Sequence, residues 1–550
     1  GWMELYNDGD ELSLKGYTIS HYKIKDDQQV LKWEWTITED IKVGSEAYRL
    51  LFFDEEDASK HAPYKLDSDG GIIILSQGKN KIDSLKYSRM DTHISYGRYG
   101  DGAGYMNPTP KAENSAAYTL DKRVKSLSFE NLTPGLVESG KHKVTIKSPT
   151  TGATIYYTTN GSEPTLESDV YKTEIEIDTT TVIRARAFLD DYPASEILTG
   201  TFLYMDYRHK KCGGYTVPVV SVSTDKDYLE DPEVGMLVVG ENGLPTEQKC
   251  LTDVGITKAN FLQDWKRPVV FEYIKDGKSV MTHEMEAAVI GGCSRKNEVQ
   301  SLKFKAGKKV GSTKEYLEVN PFEDRPGNKY SSLHLRNGGN AYEASQVRIR
   351  DGYMQSLSKV MNIDYQAFQP VAYYLNGKYK GLMGLRERTN KDYVEANYGL
   401  DEEDMEHMEL VNESGVEAKV GTLDWYKALV SFLENNSPGA ANYFETACKY
   451  MDMDEYIDFQ LFEHFIVNTD WPGNNAKIWR DKKNGKLRWI IYDTDFGLGL
   501  YTAGWPNYCD VNLNSIEWAA GLGDNVNWAN GTEYEGPKYT FDEHSKWKVT

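Results

Sequence analysis

Four oxygen-bearing side chains between residues 470 and 495 could do chemistry together. Asp470 and Asn475 stand five residues apart in Asn468-Thr469-Asp470-Trp471-Pro472-Gly473-Asn474-Asn475. Asp493 and Asp495 follow 18 and 20 residues after Asn475, in Tyr492-Asp493-Thr494-Asp495-Phe496-Gly497. Carboxylates and an amide oxygen are hard ligands, suited to Mg²⁺ or Ca²⁺ rather than to zinc. The elements between them decide whether they meet. Ala476-Lys477-Ile478-Trp479-Arg480 reads as a strand, Asn484-Gly485 as a two-residue turn, and Leu487-Arg488-Trp489-Ile490-Ile491-Tyr492 as the return strand. A hairpin brings its two ends together, so the spacing predicts Asp470 and Asn475 beside Asp493 and Asp495. A helix must hold the first loop. Asp452 can cap it, with Glu455 three residues on. The run Tyr456 to Val467 is apolar on most of its circumference, which predicts a mostly buried helix, and Pro472-Gly473 ends it.

A catalytic Asp, an Asn five residues on, a hairpin and a metal-binding Asp form the plan of the protein-kinase catalytic segment. The acidic pair here lies farther along than the usual kinase spacing, and neither His-Arg-Asp nor G-x-G-x-x-G occurs. Residues from about 215 to 550 carry a fuller likeness. Gly291-Gly292-Cys293-Ser294-Arg295, Ser301-Leu302-Lys303-Phe304-Lys305 and Leu335-Arg336-Asn337-Gly338-Gly339-Asn340 come first. Tyr374-Leu375-Asn376-Gly377-Lys378-Tyr379-Lys380-Gly381-Leu382 and Arg386-Glu387-Arg388 follow, then the two acidic segments. In this order they resemble the CotH kinase family of spore-coat and secreted bacterial proteins. The resemblance implies an atypical kinase that uses ATP and a divalent metal (Mg²⁺, or Mn²⁺ or Ca²⁺) to phosphorylate Ser or Thr of a protein. By position it makes Asp470 the catalytic acid/base. It gives Asn475 and Asp493 to the metal, with Asp495 assisting. Lys303 or Arg295 would contact phosphate, and Glu387 would orient that cation. The chain departs from the family in three places: Val299-Gln300 replaces a Lys pair, Ala341 replaces an Asp, and the helices expected after the metal loop are missing or cut at Thr550.

The rest of the chain supplies the context. Residues 1–115 show short strand patterns bounded by Gly, Asp and Ser. Trp2-Met3-Glu4-Leu5-Tyr6-Asn7, Leu14 to Ser20, Ser95 to Gly102 and the Pro108-Thr109-Pro110 exit resemble, in order, the lamin-tail domain, an immunoglobulin-like sandwich. After a linker at 116–124, residues 125–205 resemble the β-sandwich of the chitobiase C-terminal region. Ile155-Tyr156-Tyr157-Thr158-Thr159-Asn160-Gly161-Ser162-Glu163-Pro164-Thr165 carries that likeness, and Asn160-Gly161 is a type I′ turn signal. Residues 206–550 mix helix and strand. The fold class expected is therefore multidomain: two N-terminal all-β immunoglobulin-like sandwiches, then an α+β atypical kinase-like domain.

Composition limits the function. The 550 residues hold 63 Lys+Arg against 84 Asp+Glu, a net charge of −21, which repels phosphate backbones and argues against nucleic acid as partner. No run nears the roughly 18 apolar residues of a membrane span. The hydrophobic share of 39% supports packed cores rather than disorder. Five scattered cysteines without a C-x-x-C pair point to no zinc knuckle. The company of β modules suggests a secreted or surface-anchored bacterial protein whose modules contact a cell surface or polysaccharide, in a fragment of a longer precursor. Protein Ser/Thr phosphorylation is the favoured activity. A non-catalytic scaffold with an inactive kinase-like domain, and AMP transfer at the same site, stay open.

Overall fold

The computed structural model describes the chain except residues 26–27, 54–59, 91–93, 115–116, 120–122, 191, 205–216, 242–258, 308–313, 315, 326, 328–329, 341–346, 412–414, 472–474, 484, 501–514, 517–524, 528–531 and 535–550. Parts of the expected 116–124 linker, the 205/206 boundary, Ala341 and the middle of the 468–475 loop lie outside the described residues.

The N-terminal part is all β. Trp2–Asn7, Ala47–Phe53 and His61–Ala62 form one sheet. Tyr17–Lys25, Gln28–Thr36, Gly71–Gln77 and Asn80–Tyr87 form a second. Alternation in these strands sends Ile19, Leu51, Phe53 and Ile73 into one core. Next comes a module around Ile146, Ile155, Ile183 and Phe202. There Asn160-Gly161 does not close a two-residue hairpin. The Asn160 side chain accepts from Ser162 N at 3.0 Å and from Ser162 Oγ at 2.6 Å, an Asx turn that opens a longer loop to Asp169–Val170.

The strands of this module continue into a 12-stranded sheet. Its far part closes, because Lys278–Ile290 pairs with Arg267–Lys275 on one side and with Ser301–Lys305 on the other. The closing strands Val219–Ser223, Phe368–Leu375, Lys378–Glu387 and Ser332–Arg336 complete a β-barrel. Its interior is filled by Phe271, Phe304, Leu302, Leu333, Leu335, Val371 and Leu385. Strand Gly135–Val137 couples module and barrel: it pairs with Leu198–Tyr204 and touches the barrel through Gly135 and Lys278. Gly135 has φ of 133°, and a Cβ there would lie 2.2 Å from the Gly277 carbonyl, so only glycine permits this approach.

The C-terminal half adds a five-stranded sheet ordered Asp364–Tyr365, Leu487–Ile491, Ala476–Asp481, Met405–Val411, Gly415–Val420. Helices Asp424–Asn435, Tyr443–Tyr450 and Met453–Ile466 pack around a core of Phe459, Phe462, Ile466, Trp471 and Trp489. The Met453–Ile466 helix is not mostly buried, as its composition predicts. Phe459, Phe462 and Ile466 face the sheet, while Ile457, Leu461 and Phe465 repeat at the i, i+4, i+8 spacing on the opposite, exposed face. Asp452 caps this helix, accepting from Glu455 N at 3.4 Å, but Glu455 does not reach back. Its carboxylate accepts from Trp489 N instead, tying helix to hairpin.

Candidate active site

The hairpin brings its ends together as its spacing requires. Ala476 pairs with Ile491, so the loop carrying Asp470 and Asn475 adjoins the segment carrying Asp493 and Asp495. Asn475 Nδ2 donates to Asp470 Oδ2 at 2.7 Å. Both hairpin ends turn through left-handed backbone, Asn475 at φ 57° and Asp493 at φ 52°, a conformation that Asn and Asp tolerate better than other side-chain-bearing residues. The loop is held from beneath. Buried Asn468 donates from Nδ2 to Glu463 Oε2 at 2.9 Å and accepts from Asp470 N at 3.2 Å. Glu463 is fully enclosed, and burial pushes its carboxyl up to about 8.

Asp495 is buried and receives Asn340 N at 2.9 Å. Gly339 beside it has φ of 55°, and a Cβ there would stand 2.8 Å from Asp495 Oδ2, so the Arg336-Asn337-Gly338-Gly339-Asn340 turn presses its backbone onto this carboxylate. The turn is anchored by Asn337, which donates to the Val299 carbonyl at 2.7 Å and accepts from Ser301 Oγ at 2.9 Å. Val299 joins the barrel core and Gln300 donates to the Leu237 carbonyl at 3.1 Å, so this pair of positions is structural here. Burial, and then the charge of Asp493, pushes the Asp495 carboxyl well above its usual range. Asp493 is only partly covered and accepts from Arg336 Nη2 at 2.6 Å. Arg336 also meets Asp351 at 3.3 Å, and Asp351 pairs with Arg386 and accepts from Thr494 N at 2.9 Å. Burial works against ionisation of Asp351, but Arg386 and Arg336 override it and hold the carboxyl well below the usual range.

Across from these acids stands the outer wall of the barrel. Lys303, His334 and Arg386 are cross-strand partners on one face. Lys303 is half-buried and, among the described residues, has no hydrogen bond or ion pair; burial, and then nearby Arg388, lowers its pKa. Arg388 shares the parity of Arg386, and its Nε is buried without a partner. The same burial and the Arg388 charge hold His334 well below its ordinary value, so it is neutral. Lys477 meets Glu409 at 3.1 Å, lies over the Tyr492 ring at 4.0 Å, and feels the charges of both Arg388 and Asp493. Arg336, on the same strand as His334, and Lys477 link this wall to Asp493.

Two expected residues stand elsewhere. Glu387 is one position out of step with Arg386, so it points to the barrel's inner side, where it meets Arg325 at 2.9 Å, Asn397 Nδ2 at 2.9 Å and Ala367 N at 2.7 Å. It is not joined to Lys303. Arg295 spends its donors locally, on the Gly291 carbonyl at 2.7 Å and the Leu262 carbonyl at 3.0 Å, although its charge reaches Lys303. Sequence reasoning missed Arg388, Lys477, His334 and Asp351. Period-two alternation about Glu387 could have found Arg388, and the same alternation from Asn475 along its strand could have found Lys477.

The oxygen donors fit a magnesium-type ion in one specific sense. Among the described residues no three His, Cys, Asp or Glu side chains stand close enough to form a metal cage. Asp493, Asp495 and Asn475 supply two carboxylates and an amide, the sparse protein share that Mg²⁺ takes when substrate phosphates complete its shell.

Residues 287–532 match the family model described as CotH kinase protein, and residues 132–199 match that of the chitobiase/β-hexosaminidase C-terminal domain. A CotH kinase domain and a chitobiase C-terminal-like domain are therefore present in the chain. The lamin-tail likeness of residues 1–115 gains no support from these matches. No curated protein matches the chain.

Proposed function

We propose that this chain is an atypical protein kinase that transfers the γ-phosphate of ATP to Ser or Thr of a secreted or surface protein. The observation that carries the reading is a pair of groups linked through Arg336 and Lys477: Lys303 and Arg388, cations with no hydrogen bond or ion pair among the described residues, and the hairpin ends that carry Asp470, Asn475, Asp493 and Asp495. Unpartnered, half-buried cations are costly unless an anion completes them, and a triphosphate is an anion of the right chemistry. The match to the CotH kinase model supports the same class.

In this reading Lys303 and Arg388 bind phosphate oxygens, with Arg295 adding charge behind Lys303. Asp470, oriented by Asn475 and Asn468, aligns the acceptor hydroxyl and takes its proton. Asp493, Asp495 and Asn475 hold the divalent cation, and Arg336 fixes the direction of Asp493. A cation bound with ATP would neutralise the charge that develops on the transferring phosphoryl oxygens. Glu387 acts on barrel structure through Arg325. The lamin-tail-like region at 1–115 and the chitobiase-like module at 125–205 tether the domain at 206–550 to a surface or polysaccharide. One observation favours the scaffold alternative: Arg336 already neutralises Asp493.

The test is incubation with γ-labelled and, separately, α-labelled ATP plus Mg²⁺ or Mn²⁺, in wild type, Asp470→Asn and Asp493→Asn. Label from the γ position alone, absent from both variants, is expected. Label from the α position would establish AMP transfer instead. No label on the chain or on offered secreted proteins, and no melting shift with ATP and metal, would leave the scaffold.

A further inference from the structure

The N-terminal β unit leaves a cleft between the outer strands of its two sheets. Its inner faces are apolar, yet Met3, Leu5, Leu12, Leu75 and Leu85 are only half-buried. They line an open cleft of about 1330 Å³. The cleft runs along Trp2–Asn7, the outer strand of its sheet, and is bordered opposite by Asn80–Tyr87, the outer strand of the other. Gly1 and Phe53 exchange backbone hydrogen bonds at 3.1 and 2.7 Å. In an antiparallel ladder the bonded pairs alternate, so Trp2, Glu4 and Tyr6 direct their N–H and C=O groups away from the partner strand. Among the described residues these backbone groups have no backbone partner. The opposite edge is different: Arg98 covers it, donating to the Ser84 carbonyl at 2.8 Å and pairing with Asp83.

Exposed sheet edges are normally blunted, because they recruit strands. The Trp2–Asn7 edge keeps its outward backbone groups without a backbone partner among the described residues; Lys111 N donates to the Glu4 side chain at 2.6 Å, not to the strand's backbone. It combines free backbone groups with an apolar trough, and that pair of features selects an occupant. An acyl chain would use the trough and leave the edge unpaired. A sugar would use polar groups and leave the trough wet. An extended polypeptide uses both, by the strand-addition mode in which main-chain bonds give affinity and alternate side chains fill pockets. Charge narrows it further, since seven acidic side chains line the cleft against four basic ones. We propose that this cleft receives an extended strand from a partner protein, alternating apolar residues between basic flanks, which pairs with the free edge of Trp2–Asn7.

The probe is a fluorescein-labelled peptide of alternating Val and Thr with two lysines at each end, read by anisotropy against the full chain. Its control is the same peptide N-methylated at alternate amides, which keeps every side chain and removes the ladder donors. Tyr6→Pro removes an outward N–H on an edge strand, where proline is tolerated. Asp8→Lys changes an exposed rim charge without touching the core. Saturable binding is expected for the parent peptide. N-methylation and Tyr6→Pro should each weaken it about tenfold or more, the factor that about 1.4 kcal/mol of lost hydrogen bonding gives. Asp8→Lys should weaken it less. Were Tyr6→Pro to unfold, the N-methylated peptide alone decides. Equal binding of both peptides would make the cleft a site for apolar groups in general and overturn the strand. So would no saturable binding of the parent, or self-association of the chain that excludes the peptide by seating a second copy there.

Discussion

Glu463 gives the sharpest test of how the candidate catalytic loop is held. Its carboxyl lies beneath the loop, joined to Asp470 through Asn468, with Oε1 buried and unpartnered. Burial raises its pKa from 4.5 to about 8. The folded chain therefore binds this proton more tightly than the unfolded chain does. Between those two values stability falls as pH rises, and outside them the effect is flat. At about 1.4 kcal/mol per pH unit, the whole window is worth about 5 kcal/mol, of which about 4 falls between pH 5 and pH 9. Glu463→Gln keeps an acceptor for Asn468 and cannot ionise. Urea unfolding at pH 5, 7 and 9 is the assay, comparing the two proteins at each pH so that Glu272, whose carboxyl burial pushes up to about 7, cancels. The variant should gain on wild type by about 4 kcal/mol across that range. Curves that stay parallel would refute the reasoning, because they would mean that Glu463 reaches solvent or a cation.

Three further outcomes follow from the same geometry. Lys303→Ala and Arg388→Ala should each weaken ATP binding about tenfold or more, through loss of a charge-assisted bond of about 1.5–3 kcal/mol, with melting nearly unchanged; Glu387→Gln should do the reverse. Arg336→Ala should cost about 3–5 kcal/mol in denaturant unfolding, because it strips one of two cations from buried Asp351 and, among the described residues, the ion-pair partner of Asp493. Gly339→Ala forces a Cβ to 2.8 Å from Asp495 in left-handed backbone, so it should cost about 1–3 kcal/mol and abolish any metal-dependent melting shift at this site.

Local order made part of this site legible in the sequence. Asp470, Asn475, Asp493 and Asp495 could be brought together because a hairpin has one geometry, and its strands and turn are written in consecutive residues. Glu387 shows the limit. Which face a strand residue takes depends on register against distant neighbours, here Leu333 rather than His334, and a one-residue offset sends the side chain to the other side of the wall. Asp351 was illegible for another reason. It sits in the first turn of a short helix, and its worth comes wholly from partners at 336, 386 and 494. The union of the chitobiase-like module with the barrel uses pairs far apart in sequence, among them Leu136 N with the Gly277 carbonyl and Thr201 N with Glu272, which no local pattern marks.

Charge is the last point that sequence and structure settle only together. A net charge of −21 opposes any anionic ligand, ATP included, at distances beyond a Debye length of about 8 Å. Within that distance the local arrangement decides. Burial lowers the affinity of Lys303 and of Lys477 for the proton, and the Arg388 charge lowers both further, a repulsion that an anion would relieve. On the hairpin side, burial and then the Asp493 charge push the Asp495 carboxyl well above its usual range, a repulsion that a cation would relieve. In the proposed reading an anion with its divalent counter-ion relieves both at once. Lys303 and Arg388 are, in that reading, the cations left for an anion, since Lys477 is held by Glu409 and Asp493 by Arg336.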